Sequence, residues 1–172
     1  MKQIFARILT YFFILVAAFT IQTSVFYFFP LADITPNILL IVVVAAGLMR
    51  GRKAGIIVGF FAGLLMDIFF GEYLGAYAFI YMIFGFVNGF FNHMFYAEEP
   101  VFPIMMIGVN DLVYGVIIYL IFYFMRNKWN FLFYVRRIIL PEAVYTLITA
   151  LVFYFLILWI DNKLRAYEKR SV

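Results

Sequence analysis

Residues 8–29 form a run of twenty-two consecutive positions without a charge. A helix needs about 20 such residues to cross a hydrocarbon core about 30 Å thick. Five further apolar segments follow at 37–49, 54–70, 73–91, 101–125 and 138–160. The runs are continuous rather than alternating, which argues against a membrane β-barrel. Charged residues make up only 13% of the chain, roughly half the share of about 25% usual in soluble domains. Such a chain cannot cover its own surface for water. The expected fold is an all-α integral membrane protein of about six transmembrane helices. With no polar linker, residues 1–172 read as a single polytopic transmembrane domain. The second and third segments are short, so they would tilt little, thin the bilayer, or borrow flanking residues.

The first segment follows Lys2 and Arg7, the pattern of a signal peptide. It is too long for an ordinary signal core and ends in Phe26–Pro30 rather than in small residues. It reads as a retained first helix. Proline marks the other boundaries. Pro30 closes the first helix, and Thr35-Pro36 reads as an N-cap followed by proline at the first position of the second. Pro100 and Pro103 sit at the start of the fifth, and Pro141 in the first turn of the sixth.

Basic residues set the orientation. With the N-terminus inside, the inner side holds Lys2, Arg7, Arg50, Arg52, Lys53, Lys163, Arg165, Lys169 and Arg170. The outer side holds Arg126, Lys128, Arg136 and Arg137. Nine against four places both termini in the cytoplasm. The basic, aromatic stretch 126–137 then reads as an interfacial segment resting on headgroups.

The most specific motif is a glycine series. Gly47, Gly51, Gly55, Gly59 and Gly63 recur every four residues, Gly71 and Gly75 keep the phase, and Asp67 takes the skipped place. Gly85 and Gly89 repeat the spacing in the fourth helix. Small residues at this interval let two backbones approach, and in lipid that packing drives helix association. The ridge therefore serves either this chain's own helices or a partner helix.

Three acids fall within or beside apolar segments: Asp67, Asp111 and Glu142. Such residues are functional candidates because charge in a bilayer is costly. Asp111 lies about 15 Å into its helix at 1.5 Å per residue, with no basic residue at similar depth. An interhelical hydrogen bond, a partner contact and the handling of protons or cations all remain open for it. Asp67 can cap the Gly71–Gly75 turn or meet a hydroxyl of the Tyr73, Tyr77, Tyr81 series. Glu142 reads as a local ion pair with Arg136 or Arg137. Gln22, with Thr20, Thr23 and Ser24, puts hydrogen-bonding groups into the first helix.

Catalytic motifs are missing. There is no Gly-x-Ser-x-Gly, no phosphate-binding loop and no zinc-protease helix. Cysteine is absent, which excludes disulfides and thiolate chemistry, and the single His93 cannot build a histidine metal cluster. His93, Glu98 and Glu99 read as solvated loop residues. No enzyme activity, cofactor, metal or nucleic-acid partner is expected.

The stretch Pro36–Tyr81 resembles the family of the bacterial rod shape-determining protein MreD. The residues that carry the resemblance are Pro36-Asn37 with Leu39 and Leu40, then the basic turn Arg50–Lys53. Gly59-Phe60, Gly63, Asp67, Gly71, Leu74-Gly75 and Ala78 follow in order. Length, helix count, Gln22 and an acid at Asp111 also fit, while beyond about residue 92 the match is mainly hydropathy. The resemblance implies a non-enzymatic scaffold of the cell-elongation complex. Its partners would be the single-span protein MreC and, through it, MreB, RodA and a transpeptidase penicillin-binding protein. Asn37, Arg50, Gly55, Gly59, Gly63, Asp67, Gly71, Gly75, Gly85 and Gly89 would then serve packing or docking, with Gln22 and Asp111 as buried polar points. The architecture is also similar to the substrate-binding subunits of energy-coupling-factor transporters, so a vitamin-binding subunit is the rival reading. Those subunits often dock through Ala-x-x-x-Ala in the first helix, whereas here Ala17 and Ala18 are adjacent.

Overall fold

A computed structural model describes residues 2–25, 34–71, 74–94, 99–123 and 130–170. The predicted end of the first span with Pro30, as well as Tyr73, Glu98, Arg126 and Lys128, lies outside the described residues. Six helices account for nearly all the rest. They are α1 (Lys2–Thr20, then a π-helical turn Ile21–Val25), α2 (Ile38–Arg50) and α3 (Arg52–Phe70). Next come α4 (Ala76–Phe90, then a 3₁₀ turn Phe91–Met94) and α5 (Val101–Ile118, then a π turn Tyr119–Tyr123). The last is α6, in which Phe131–Tyr134, a π turn Val135–Ile139 and Leu140–Arg170 run on as one helix. In lipid, backbone groups must be satisfied within the segment, and helices do this. Ala6–Ser24, Arg52–Phe70, Val101–Phe122 and Phe131–Glu168 are each long and apolar enough to cross a membrane. The chain is a multi-helix membrane protein.

α2 is the exception in length and the centre of the packing. Its 13 residues span about 20 Å at 1.5 Å each, short of a hydrocarbon core of about 30 Å. Every residue from Ile38 to Met49 is buried. A helix that is apolar all round belongs inside a protein, and here α1, α3, α4, α5 and α6 all pack on it.

The third span is not short. It starts at Arg52, directly after Gly51, whose φ of +84° turns the chain back from α2. The cap of α2 is Asn37 rather than Thr35, and Pro36 precedes it. The Asn37 side chain accepts from the Leu40 N–H at 3.1 Å, a bond that the preceding threonine is not seen to make. The stretch from Phe131 to Arg137 is the beginning of α6 rather than a loop. No glycine or proline interrupts 131–140. Pro141 stands in the first turn of the regular α-helix Leu140–Arg170, and the preceding turns from Phe131 join it without a break. The ladder loosens just before it, where the Leu140 N–H reaches the Val135 carbonyl. Such π turns relieve the clash and the lost bond that proline imposes.

The glycine ridge faces α4. A Cβ added at Gly55 would overlap the Gly85 carbonyl, and one at Gly85 would overlap the Gly55 carbonyl. Gly59 lies against the backbone of Tyr81, Gly63 against Ala78, and Gly89 against Arg52. Gly47 of α2 meets the same Gly85. Opposite the ridge, Ile57, Phe60, Phe61 and Ile68 are exposed toward lipid.

This seam predicts an order of sensitivity. Gly55→Ala and Gly85→Ala force two backbones apart and should each cost about 1–3 kcal/mol or more, the usual penalty for overpacking. Gly75→Ala meets no atom within 4 Å but sits at φ +102°, so it should cost only about 1–2 kcal/mol, the left-handed penalty. Thermal unfolding of detergent-purified variants checks the ranking.

Candidate functional site

Because the interior is apolar, its few polar side chains show where the structure is held. They gather at the two ends of α2. At its N-terminus, the Leu39 N–H donates to Gln22 Oε1 of α1 at 3.0 Å. The Leu40 N–H donates to Asn37 Oδ1, which also accepts from the Tyr81 hydroxyl of α4 at 2.8 Å. The Asn37 N–H donates to Thr146 Oγ1 of α6 at 3.1 Å, and the Ile38 N–H to the Pro36 carbonyl. The amides at the helix start, which would otherwise be orphaned, are thus met by side chains from two other helices, α1 and α6, and by Asn37 and the chain itself, while Tyr81 of α4 holds the Asn37 cap in place. The Tyr81 and Tyr114 rings close this end edge to face at 5.5 Å.

At the other end a charged clamp joins α1, α2 and α6. Asp161 accepts from Arg50 Nε at 2.6 Å, from Arg165 Nε at 2.7 Å and from the Tyr11 hydroxyl at 3.2 Å. Glu168 accepts from Arg50 Nη1 at 2.8 Å and from Arg7 Nε at 3.0 Å. Arg165 Nη2 and Asn92 Nδ2 donate to the Met49 and Leu48 carbonyls, which lie in the last turn of α2. The Arg50 and Asp161 side chains are 7% and 2% exposed, so the pair is shielded from water.

Asp67 caps the neighbouring helix. Its two carboxylate oxygens accept from the Tyr77 and Ala78 N–H groups in the first turn of α4, both at 2.9 Å. An acid is favoured there by the helix dipole. Gly71 ends α3 with its N–H on the Asp67 carbonyl, so Asp67 and the two glycines build one turn. Asn110 forms a reciprocal amide pair with Asn88 at 2.7 and 3.0 Å, buried between α4 and α5.

Asp111 is 2% exposed and neither of its oxygens receives a hydrogen bond. Asn37 and Thr146 flank it. Glu142 does not pair with Arg136 or Arg137, which are exposed. The reason is rotational. Glu142 stands one turn before Thr146 on the inward stripe of α6, whereas the two arginines fall on its outer side.

Asp161, Glu168, Tyr11 and Asn88 went unnoticed in the sequence. The one available signal was Arg165 four residues after Asp161, the spacing of an intrahelical pair. Breaking a buried ion pair by removing one partner costs about 3–5 kcal/mol. Arg50→Met and Asp161→Leu should each destabilise the fold on that scale. The double variant should be closer to the parent than the sum of the two. A double-mutant cycle in thermal unfolding reads the coupling.

Among the described residues no three His, Asp or Glu side chains converge as metal ligands would. The polar clusters join helices, and both ends of α2 and the start of α4 are met from within the chain. Searches of curated proteins and of solved structures each returned no match. A family model described as rod shape-determining protein MreD matches residues 1–163 of the 172. The match extends well past the central stretch that carries the sequence resemblance and takes in both ends of α2 and most of α6. A membrane bundle with this wiring, matched over nearly its whole length, belongs to the MreD family of rod shape-determining proteins.

Proposed function

We propose that the chain is a non-enzymatic scaffold of the bacterial cell-elongation complex, docking a single-span partner of the MreC type. Through that partner it would meet MreB, RodA and a transpeptidase penicillin-binding protein, and so support lateral peptidoglycan synthesis. The observation that carries the reading is the family match over residues 1–163. The geometry agrees with it. The polar side chains described above fix helices to one another, and the outward faces are apolar. The glycine ridge belongs to the internal seam with α4, which leaves outward residues such as Phe60 and Phe61 of α3 and Val152 of α6 for partner helices.

The reading places both termini in the cytoplasm. Arg7 of α1 bonds Glu168 of α6, so the two terminal helices end on one side. Arg50, Arg52, Lys53, Lys163 and Arg165 stand on that side too, and basic residues favour the inner face.

Purification of the tagged protein in mild detergent tests the proposal. An MreC-like protein should co-purify. Recovery of paired ATPases with a coupling subunit would overturn it in favour of a transporter subunit.

A further inference from the structure

Between residues 112 and 141 the chain holds four basic residues and no acid. Two of them, Arg136 and Arg137, lie in the first turns of α6, at the end of the bundle away from the Arg50 clamp. Both are exposed, and among the described residues no carboxylate pairs with either. Basic residues at this end oppose the orientation that the other basic residues set, so the pair calls for a use of its own.

The depth of the two arginines follows from α6. Arg137 and the exposed Lys163 are 26 residues apart on one helix, about 39 Å at 1.5 Å each. A bilayer measures about 30 Å across its hydrocarbon and about 40–45 Å with its headgroups. With Lys163 at one headgroup layer, Arg137 stands at the other. The start of α6 is fixed there, because Ile139 lies against Gly115 of α5 and the Tyr119 ring packs on Phe131 and Tyr134 at 5.1 and 5.0 Å. Arg137 lies over the Phe133 ring at 5.9 Å. Phe133, Arg136, Arg137, Leu140, Val144 and Ile148 stand three or four residues apart and all are exposed, so they form one stripe along the helix.

We propose that this stripe binds one anionic phospholipid, with Arg136 and Arg137 on the phosphate and an acyl chain along Leu140, Val144 and Ile148. Guanidinium groups present several donors to phosphate oxygens. From Leu140 to Ile148 the apolar stripe runs about 12 Å, most of one leaflet's roughly 15 Å of hydrocarbon. Two unpaired positive charges favour a net-negative headgroup over a zwitterionic one, whose own ammonium they would meet. No small residue interrupts the stripe, so a second helix finds no place for close backbone approach, the feature that drives helix pairing in lipid. An acyl chain needs none. The bound lipid pins the start of α6, and α5 with it, to the headgroup layer.

The chain has no cysteine, so Val144→Cys in the full-length protein can carry a single bimane label. The labelled protein is reconstituted in phosphatidylcholine vesicles with a rising share of brominated phosphatidylglycerol, or of brominated phosphatidylcholine as reference. Quenching at Val144 should show phosphatidylglycerol favoured about tenfold, the scale of two basic side chains at an anionic surface. A label at Ile68→Cys, exposed at the same end of the bundle and far along α3 from Arg52 and Lys53, should show no preference. Arg136→Gln with Arg137→Gln should bring the two lipids to parity at Val144. Both side chains are exposed and unpaired, so this variant should fold, and its unfolding in detergent checks that. An equal preference at Ile68, or a preference that survives in the double glutamine variant, overturns the proposal. No preference at Val144 in the parent also overturns it and assigns the two arginines to an acidic segment of another protein.

Discussion

A bilayer offers no water to a helix end, so the four amides and four carbonyls that each helix leaves open must find partners in the protein. For a helix that crosses the membrane the ends reach headgroups and the demand is light. α2 is about 20 Å long and enclosed over Ile38–Met49, so at least one of its ends stops where no water is at hand. The wiring of the bundle answers that demand. Gln22, Asn37 and Thr146 meet the first amides. Arg165 and Asn92 meet the last carbonyls. These bonds come from α1, α4 and α6, so satisfying one short helix also fixes its neighbours around it.

The glycine seam makes this enclosure possible. With Gly55 against Gly85 and Gly59 against Tyr81, α3 and α4 pack as one thin wall. Gly47 brings α2 onto the same wall. Asp67 then sets the connection between α3 and α4 by holding the first amides of α4. Packing of this kind is dispersive and directional only through shape. The buried Arg50–Asp161 pair and the Asn88–Asn110 amides give the bundle fixed depth and rotation. A protein that positions others in a membrane benefits from such rigidity, because its outward faces are then presented at constant geometry.

Much of this was legible in the sequence where the relevant spacing runs along one helix. The apolar runs gave the spans, the four-residue period marked Gly55, Gly59 and Gly63 as a close-packing ridge, and Asp67 in the same phase suggested a turn cap. What failed to show was relations between helices. The depth at which Asp161 meets Arg50, and the rotation of α6 that turns Glu142 away from the exposed Arg137, depend on how separate helices are aligned. A single sequence carries no measure of that. The helical start of α6 was hidden for another reason. Its aromatic and basic composition fits a surface segment and a helix equally well, and Pro141 reads as a boundary although helical turns precede it. Thr35 and Asn37 are both good cap residues, and tertiary bonds to Tyr81 and Thr146 favour the second.

The central claim is that α2 is an enclosed helix held at both ends by side chains of other helices. Hydrogen–deuterium exchange of the protein in lipid nanodiscs measures this directly, because exchange follows local opening. Peptides covering Ile38–Met49 should exchange most slowly of all, including the amides of Leu39 and Leu40 at the helix start. Replacing Gln22 by leucine should speed the Leu39 amide, which bonds to it, more than the Leu40 amide, which Asn37 holds. Exchange of 38–49 as fast as that of the lipid-facing helices, or a start of α2 indifferent to Gln22, would contradict the account.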